Sequence, residues 1–163
     1  MFRIIKHLLI PDWWAQRVFD GAALTHIEAA VTRSEQQHRG ELRFAIEADL
    51  DPRAVLKGIT PRQRAIEVFS QLRVWDTEEN SGVLIYVQLI DRDIEIIADR
   101  GINARVAQAE WDAICTRMEA EFRAGRFEAG ALAGIGEVTT LLTHHFPARE
   151  ANSDELPDRP VVL

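Results

Sequence analysis

The chain has 163 residues, of which 47% are hydrophobic, a formal net charge of −7 and one cysteine, Cys115. This length and composition predict one globular domain with a substantial core. The single cysteine excludes a disulfide framework and a thiolate metal site. The acidic balance argues against nucleic acid as a partner, because such a surface would repel the phosphates.

The first 19 residues are predicted to form an N-terminal arm. Its apolar stretch, Met1–Ile10, is about half as long as the roughly 20 residues that cross a bilayer, and no small-residue cleavage site follows it. Two interpretations remain. Basic residues beside Trp13 and Trp14 suit peripheral membrane contact through Phe2–Trp14; alternatively, the arm packs on its own core or on a second subunit. We expect a cytoplasmic protein.

The chain after the arm alternates between helical and strand patterns. Asp20 is a suitable N-cap for a helix that ends near Gly40. From Glu41 the apolar residues recur with a period of two, which predicts a half-buried strand. Thr60-Pro61 combines an N-cap with a proline at the first helical position, so a second helix is predicted to begin there.

A β-hairpin is predicted next. Residues 83–90 are apolar on both faces apart from Gln88, which is typical of a central strand covered on both sides. The Asp91-Arg92-Asp93 turn is short enough to join this strand to an antiparallel strand at residues 94–98.

Two further helices are predicted, one carrying Trp111 to Phe122 and one from about Phe127 to Leu142. The last helix contains Gly130, Gly134 and Gly136. Glycine costs roughly 1 kcal/mol against alanine inside a helix. We therefore expect these glycines to allow close packing against the sheet or a partner.

The resulting order of elements is α-β-α-β-β-α-α. A helix joins the first two strands, so they are predicted to be parallel with a right-handed crossover. The predicted fold class is α/β, a three-layer α/β/α sandwich with a small mixed central sheet. Residues 1–163 form a single domain with a core at about 20–145 and an extended C-terminal tail at 150–163.

One edge of this sheet is predicted to collect oxygen ligands. Parallel strands start at the same edge and an antiparallel neighbour ends there, so the segments flanking these strands meet. Alternating oxygen-bearing side chains suit a hard cation such as Ca²⁺ or Mg²⁺. Ordinary turn chemistry, in which such side chains cap backbone groups, is the alternative. The candidate metal ligands are Asp76, Glu78, Asn80, Asp99 and Glu41.

Other polar patterns are weaker indications of a site. Glu35-x-x-His38 places two side chains on one helix face, but di-iron bundles use that spacing twice. His144-His145 is typical of a solvated helix end. Ser34 has no adjacent base in the sequence, so no hydrolase triad is predicted.

The order and spacing of several short motifs resemble the TPM domain, a family of small α/β/α domains in bacteria and chloroplasts. The resemblance covers about residues 20–145 and implies an α/β/α fold. For some members it also implies acid phosphatase activity, divalent-cation binding, or a role in assembling and repairing membrane complexes. The motifs are Glu35, Gly40-Glu41, Asn80-Ser81-Gly82-Val83-Leu84, Asp91-Arg92 and Arg126-Phe127-Glu128-Ala129-Gly130.

The chain departs from the family pattern at two places. The family usually has Asp-Asn-Gly where this chain reads Asn80-Ser81-Gly82, and Gly-x-Gly where it reads Asp99-Arg100-Gly101. Asp99 adds a carboxylate to the candidate edge, and Ser81 removes an amide ligand. Many members carry a signal peptide and a membrane anchor, which this sequence does not show, so the resemblance implies a cytoplasmic variant.

Two functions are compatible with these patterns. A non-catalytic binding or accessory domain would engage a protein partner or a second copy of the chain, and it needs no catalytic residues. Metal-assisted phosphoester hydrolysis is the alternative, in which a cation activates water and Arg92 or Arg100 clamps the phosphate. We expect the first function, because no nucleophile and base stand out in the sequence.

Overall fold

A computed structural model describes residues 17–50, 52–149 and 154–163. Phe2–Trp14, for which membrane or subunit contact is predicted, lies outside these ranges. The helices are α1 (Gly21–Glu35), α2 (Pro52–Leu56), α3 (Pro61–Gln71), α4 (Arg100–Asn103), α5 (Gln108–Arg123) and α6 (Phe127–His145). The strands are β1 (Glu41–Glu47), β2 (Gly82–Gln88), β3 (Asp93–Ala98) and β4 (Val161–Val162).

The four strands form one mixed sheet in the order β3-β2-β1-β4. β1 and β2 are parallel, with Glu41 opposite Gly82. β2 and β3 are antiparallel, with Val83 opposite Ala98. The predicted α/β fold with a small mixed sheet is confirmed. The starts of β1 and β2 and the end of β3 therefore share one edge, which is the edge where the sequence placed the site.

Helices cover both faces of the sheet because its strands carry apolar side chains on both faces. On one face, α1, α5 and α6 pack over Leu42, Phe44 and the residues that alternate with them. On the other face, α3 packs over Leu84 and Tyr86. All four of these strand side chains are fully buried, and burying such a side chain contributes about 1.5–3 kcal/mol.

The predicted helix starts are formed by side-chain caps. Asp20 accepts a hydrogen bond from the backbone N–H of Ala23 at 2.9 Å. Thr60 and Gln63 form the reciprocal capping box in front of α3. These local bonds satisfy backbone donors that a helix end otherwise leaves unpaired.

The C-terminal residues 154–163, here called the strap, lie along β1. Val161 pairs with Ala45 in parallel register, and the N–H of Leu163 donates to the carbonyl of Ile46 at 2.8 Å. Leu156 of the strap is buried in the core on the α3 face. The sequence predicts an extended tail but no fourth strand, because a two-residue strand is too short to show a period.

The glycines of α6 differ in what surrounds them. A Cβ at Gly134 would lie 2.7 Å from Cγ and 2.8 Å from Cε of Met118, which is buried in α5. A Cβ at Gly136 would have no neighbour within 4 Å. Close packing is thus present at Gly134, but it is against α5, whereas the sequence predicted it against the sheet or a partner.

Gly134→Ala is expected to lower the free energy of unfolding by about 1–3 kcal/mol, because the methyl group overpacks the α5–α6 contact. Gly136→Ala is the matched control in the same helix, and it should raise stability by up to about 1 kcal/mol through helix propensity alone. Urea denaturation of both variants measures the difference. Equal stability of the two variants would contradict the packing argument.

Candidate functional site

Three carboxylates meet at the start of β1. Glu35 is the last residue of α1, Glu41 is the first residue of β1, and Asp154 is the first residue of the strap. One oxygen from each lies within 4.8 Å of the others, and within the described ranges no other group of three or more Asp, Glu, His or Cys residues does so. Glu35 and Glu41 are 8% and 2% exposed, whereas Asp154 is exposed. We call these three residues the acidic cluster.

Backbone hydrogen bonds fix the two buried carboxylates. Oε1 of Glu35 accepts the N–H of Leu42 at 2.7 Å. Leu42 precedes Ala45 and Ile46, the residues of β1 with which β4 pairs. Oε2 of Glu41 accepts the N–H groups of Glu155 and Leu156, both at 3.0 Å. Glu41 therefore attaches the strap to the sheet and also belongs to the acidic cluster.

The rest of the strap contacts β1 and α1 through polar groups. Nη1 of Arg43 donates to the carbonyls of Pro157 and Arg159, the latter at 3.2 Å. The hydroxyl of Thr32 donates to the carboxylate of Asp158. The acidic cluster thus includes the first residue of a chain segment that hydrogen bonds hold to β1 and α1.

Burial of like charges shifts the protonation of the cluster. Burial raises the pKa of Glu35 to about 9, and the neighbouring carboxylates Asp158 and Glu41 raise it further. Burial also raises the pKa of Glu41 and lowers the pKa of the nearby Arg43 guanidinium. Glu35 is therefore protonated at neutral pH, and a bound cation would take the place of that proton.

The ligands predicted from the sequence lie at the same edge but are not all brought together. Asp76 and Glu78 are exposed, and Asp99 is the N-cap of α4, accepting the N–H of Arg100 at 2.6 Å. Asn80 accepts a hydrogen bond from Nε of Arg100 at 3.1 Å. Of the predicted ligands, Glu41 alone belongs to the acidic cluster; a ligand role for the other four stays a prediction.

In the loop before β2, side chains cap backbone groups, which is the turn chemistry that the sequence offered as the alternative to a metal site. Oγ1 of Thr77 accepts the N–H of Ser81 at 2.9 Å, and Asn80 has a positive φ of 53°, a conformation that asparagine tolerates better than most residues. Glu155 of the strap accepts the N–H of Glu78 at 3.0 Å, so the strap also fixes this loop.

The two arginines predicted to clamp a phosphate lie far apart in the fold. Arg100 begins α4 beside the candidate edge. Arg92 lies in the turn between β2 and β3, at the other end of the strands, and its Nη1 approaches the carbonyl of Arg123 at 3.4 Å. A single anion at the candidate edge can therefore contact Arg100 but not Arg92.

A buried polar chain links α1 to α6. The N–H of Gly40 donates to Nδ1 of His38 at 3.2 Å, so the neutral ring carries its proton on Nε2. Nε2 then donates to Oγ of Ser34 at 2.8 Å, which in turn donates to Oγ1 of Thr139 at 2.6 Å. Burial lowers the pKa of His38 to about 4.

This chain does not prepare Ser34 for nucleophilic attack. A general base must accept the serine proton on the nitrogen that faces it, whereas here that nitrogen of His38 donates. Ser34 is 1% and His38 0% exposed, so the pair lies within the core, where Ser34 joins α1 to α6 through Thr139. The i, i+4 spacing of Ser34 and His38 was the available signal for this contact.

Glu35 and Asp154 are the functional candidates that sequence reasoning did not assign to the edge. Glu35 was singled out only for its spacing to His38 and as part of a family motif. Asp154 is separated from Glu41 by more than a hundred residues, and no local pattern predicts that the tail returns to β1.

Within the described ranges, none of the helices combines the length and the apolar content that a membrane span requires.

Comparisons with known proteins agree with this architecture. The family model of the TPM domain matches residues 15–141. The NMR structure of BA42 protein from the psychrophilic bacterium Bizionia argentinensis is similar, with 30% sequence identity and a TM-score of 0.76. The match covers 86% of this chain and 92% of the BA42 chain. A comparison with curated proteins found no match.

Proposed function

Because this chain belongs to the TPM-domain family, we propose that it is a divalent-cation-binding accessory domain whose ligands are Glu35, Glu41 and Asp154. The observation that carries the proposal is the burial of two carboxylates within 4.8 Å of each other and of a third. Carboxylates placed this close repel each other unless a proton or a cation neutralises them. Carboxylate oxygen is the ligand type that Ca²⁺ and Mg²⁺ take.

Another buried carboxylate on β1 shows how the same strand neutralises charge without a metal. Glu47 is 7% exposed, and Arg64 donates to its two oxygens through Nε at 3.1 and 3.0 Å and through Nη2 at 2.7 Å. The hydroxyl of Tyr86 donates to it as well. At the acidic cluster the Arg43 guanidinium interacts electrostatically with Glu35, while its Nη1 donates to strap carbonyls. We propose that a metal cation supplies further positive charge to the three carboxylates.

Binding is preferred to phosphoester hydrolysis because of where the arginines lie. Hydrolysis needs a cationic group beside the metal that can hold the phosphate. Arg43 is buried and engaged with the strap, and Arg100 is bonded to Asn80. We therefore propose that the domain acts through a protein partner or a second copy, and that it does so in the cytoplasm.

Calorimetric titration of the chelator-treated protein with CaCl₂, MgCl₂ and MnCl₂ tests the site. Glu35→Gln/Glu41→Gln keeps hydrogen-bond acceptors for the backbone and removes two carboxylates. It should weaken cation binding by at least about 100-fold. The matched control, Asp76→Asn/Glu78→Gln, removes the same charge from the neighbouring loop and should leave affinity unchanged.

The pattern of results decides between sites. Loss of binding in the Asp76→Asn/Glu78→Gln control alone would move the site to the loop predicted from the sequence. No heat with any of the three metals would overturn the proposal. Circular dichroism of both variants confirms that they keep the fold.

A further inference from the structure

The strap is held to β1 mainly through its own backbone. Oε2 of Glu41 accepts two consecutive N–H groups of the strap, and Nη1 of Arg43 donates to two of its carbonyls. Val161 adds a backbone pair with Ala45. Backbone N–H and carbonyl groups are common to extended segments, so these contacts do not depend on the side chains of the strap.

The strap also buries few of its side chains. Of its ten residues only Leu156 and Pro160 are buried. Leu156 is 7% exposed and packs in the core on the α3 face, whereas Val162 and Leu163 are 46% and 42% exposed. Detachment of the strap therefore uncovers little apolar surface, so this segment can leave β1 while the rest of the core stays closed.

Charge opposes the attachment of the strap. The strap carries three carboxylates and one guanidinium. One oxygen of Asp154 lies within 4.8 Å of oxygens of the buried Glu35 and Glu41, and Glu155 and Asp158 act on the same pair as like charges. Carboxylates this close are unfavourable unless a proton or a cation neutralises them. A segment with a positive charge at this position would fit β1 better than the strap does.

Arg43 shows a second imperfection of the fit. Its side chain is 6% exposed, and within the described residues its Nε has no hydrogen-bond partner. A buried donor without an acceptor is unfavourable. The surface under the strap thus retains a polar group that the strap leaves unpaired.

We propose that this surface of β1 binds an extended segment of a partner protein, for which the strap is an intramolecular substitute. The partner segment places an aliphatic side chain at the position of Leu156 and a lysine or arginine at that of Asp154, where it pairs with the acidic cluster. Addition of a strand to a sheet edge is a common mode of peptide recognition. The inference rests on the proposed function for the existence of a protein partner, but it needs no metal, because the basic side chain takes the place of the cation.

Fluorescence anisotropy with labelled peptides tests the proposal. The lysine peptide has the sequence of residues 154–163 with Asp154→Lys, and the native peptide keeps Asp154. The protein is the full chain with Leu156→Asp, whose attached strap no longer fills its place in the core. EDTA is present, so the result is independent of the metal titration that tests the cation site.

The lysine peptide should bind the Leu156→Asp chain at least about tenfold more tightly than the native peptide does, because a charge-assisted hydrogen bond replaces a repulsion. The wild-type chain should bind the lysine peptide more weakly, since its attached strap competes at high effective concentration. If circular dichroism shows that Leu156→Asp unfolds the protein, Asp158→Ala replaces it, because that variant loses the bond to Thr32 and keeps the core.

Glu41→Gln, added to the Leu156→Asp chain, is the matched control. Glutamine keeps an acceptor for the peptide backbone and removes a carboxylate, so most of the preference for the lysine peptide should disappear. That pattern would support the proposal. Absence of binding, a preference that survives Glu41→Gln, or equal binding of the lysine peptide to the wild-type chain would overturn it. Equal or tighter binding of the native peptide would make the strap of a second copy the occupant and would overturn it as well.

Discussion

Replacing Gly82 with alanine is expected to lower the free energy of unfolding by at least about 3 kcal/mol, the upper range for overpacking. Gly82 is the first residue of β2. A Cβ there would overlap the carbonyl oxygen of Val74 and lie 2.9 Å from its carbonyl carbon. These are backbone atoms, so no change of rotamer relieves the overlap, and either β2 or the end of the α3 connection must move.

Movement at this position is costly because both segments are fixed. The N–H of Val74 donates to the carbonyl of Phe69 at 3.0 Å, and Val74 is fully buried. The carbonyl of Gly82 accepts the N–H of Asp99 at 2.8 Å. A shift of Gly82 would therefore also disturb the β2–β3 ladder and the start of α4.

Guanidinium denaturation of Gly82→Ala, followed by circular dichroism, measures the loss. Gly21→Ala is the control, because a Cβ at Gly21 has no neighbour within 4 Å; this variant should stay close to the wild type. A Gly82→Ala protein within about 1 kcal/mol of wild-type stability would contradict the overlap argument.

The helix starts, the first strand and the hairpin were predicted correctly, because each depends on residues that are close together in the sequence. Asp20 and Thr60 marked helix starts because capping needs only the next three residues. The period of two from Glu41 marked a strand, and the Asp91-Arg92 turn fixed the antiparallel pair. From these elements, topology alone predicted that the segments flanking β1, β2 and β3, including Glu41 of the acidic cluster, meet at one edge of the sheet.

The features that sequence missed depend on long-range contacts. The strap returns to β1 through bonds from Glu41 and Arg43 to residues more than a hundred positions away. Asp154 enters the acidic cluster only because the strap is in place. The cap that Asp99 provides for α4 was not predicted, because a helix of four residues is too short to show a period; a ligand role for Asp99 stays a prediction.

Cation-free protein is expected to lose about 3 kcal/mol of stability between pH 6.5 and pH 9. The folded protein holds a proton on Glu35 up to a pKa of about 9, whereas the unfolded chain releases it near the ordinary value of 4.5. Between these values the unfolded state binds fewer protons, so raising the pH favours unfolding. The slope for one proton is about 1.4 kcal/mol per pH unit.

His38 acts in the opposite direction at lower pH. Its pKa is about 4 in the folded protein against 6.5 in the unfolded chain, so below pH 6.5 the unfolded state gains a proton that the folded state does not. From pH 6.5 down to 4.5 the two contributions nearly cancel, and above pH 6.5 His38 no longer opposes the contribution of Glu35. The decline should therefore begin near pH 6.5.

Urea denaturation at pH 6.5, 7.5 and 8.5 without cation checks this prediction. Glu35→Gln should remove most of the slope, because the variant has no proton to release there, whereas a His38→Gln variant should keep it. Stability that rises with pH over this range in the wild type would contradict the buried, protonated state of Glu35.

Binding of a cation at the acidic cluster should cancel this fall of stability with pH, because the cation-bound and the unfolded protein both have Glu35 deprotonated. Because the cation displaces the proton of Glu35, its affinity should rise about tenfold per pH unit below pH 9. Calorimetry in two buffers of different ionisation enthalpy should then show release of about one proton per cation.

Since Asp154 belongs to the strap, cation binding should also slow hydrogen exchange of the Glu155 and Leu156 amides, which donate to Glu41. Heat without proton release would place the cation away from Glu35, and binding without added protection of these amides would show that the strap takes no part in it.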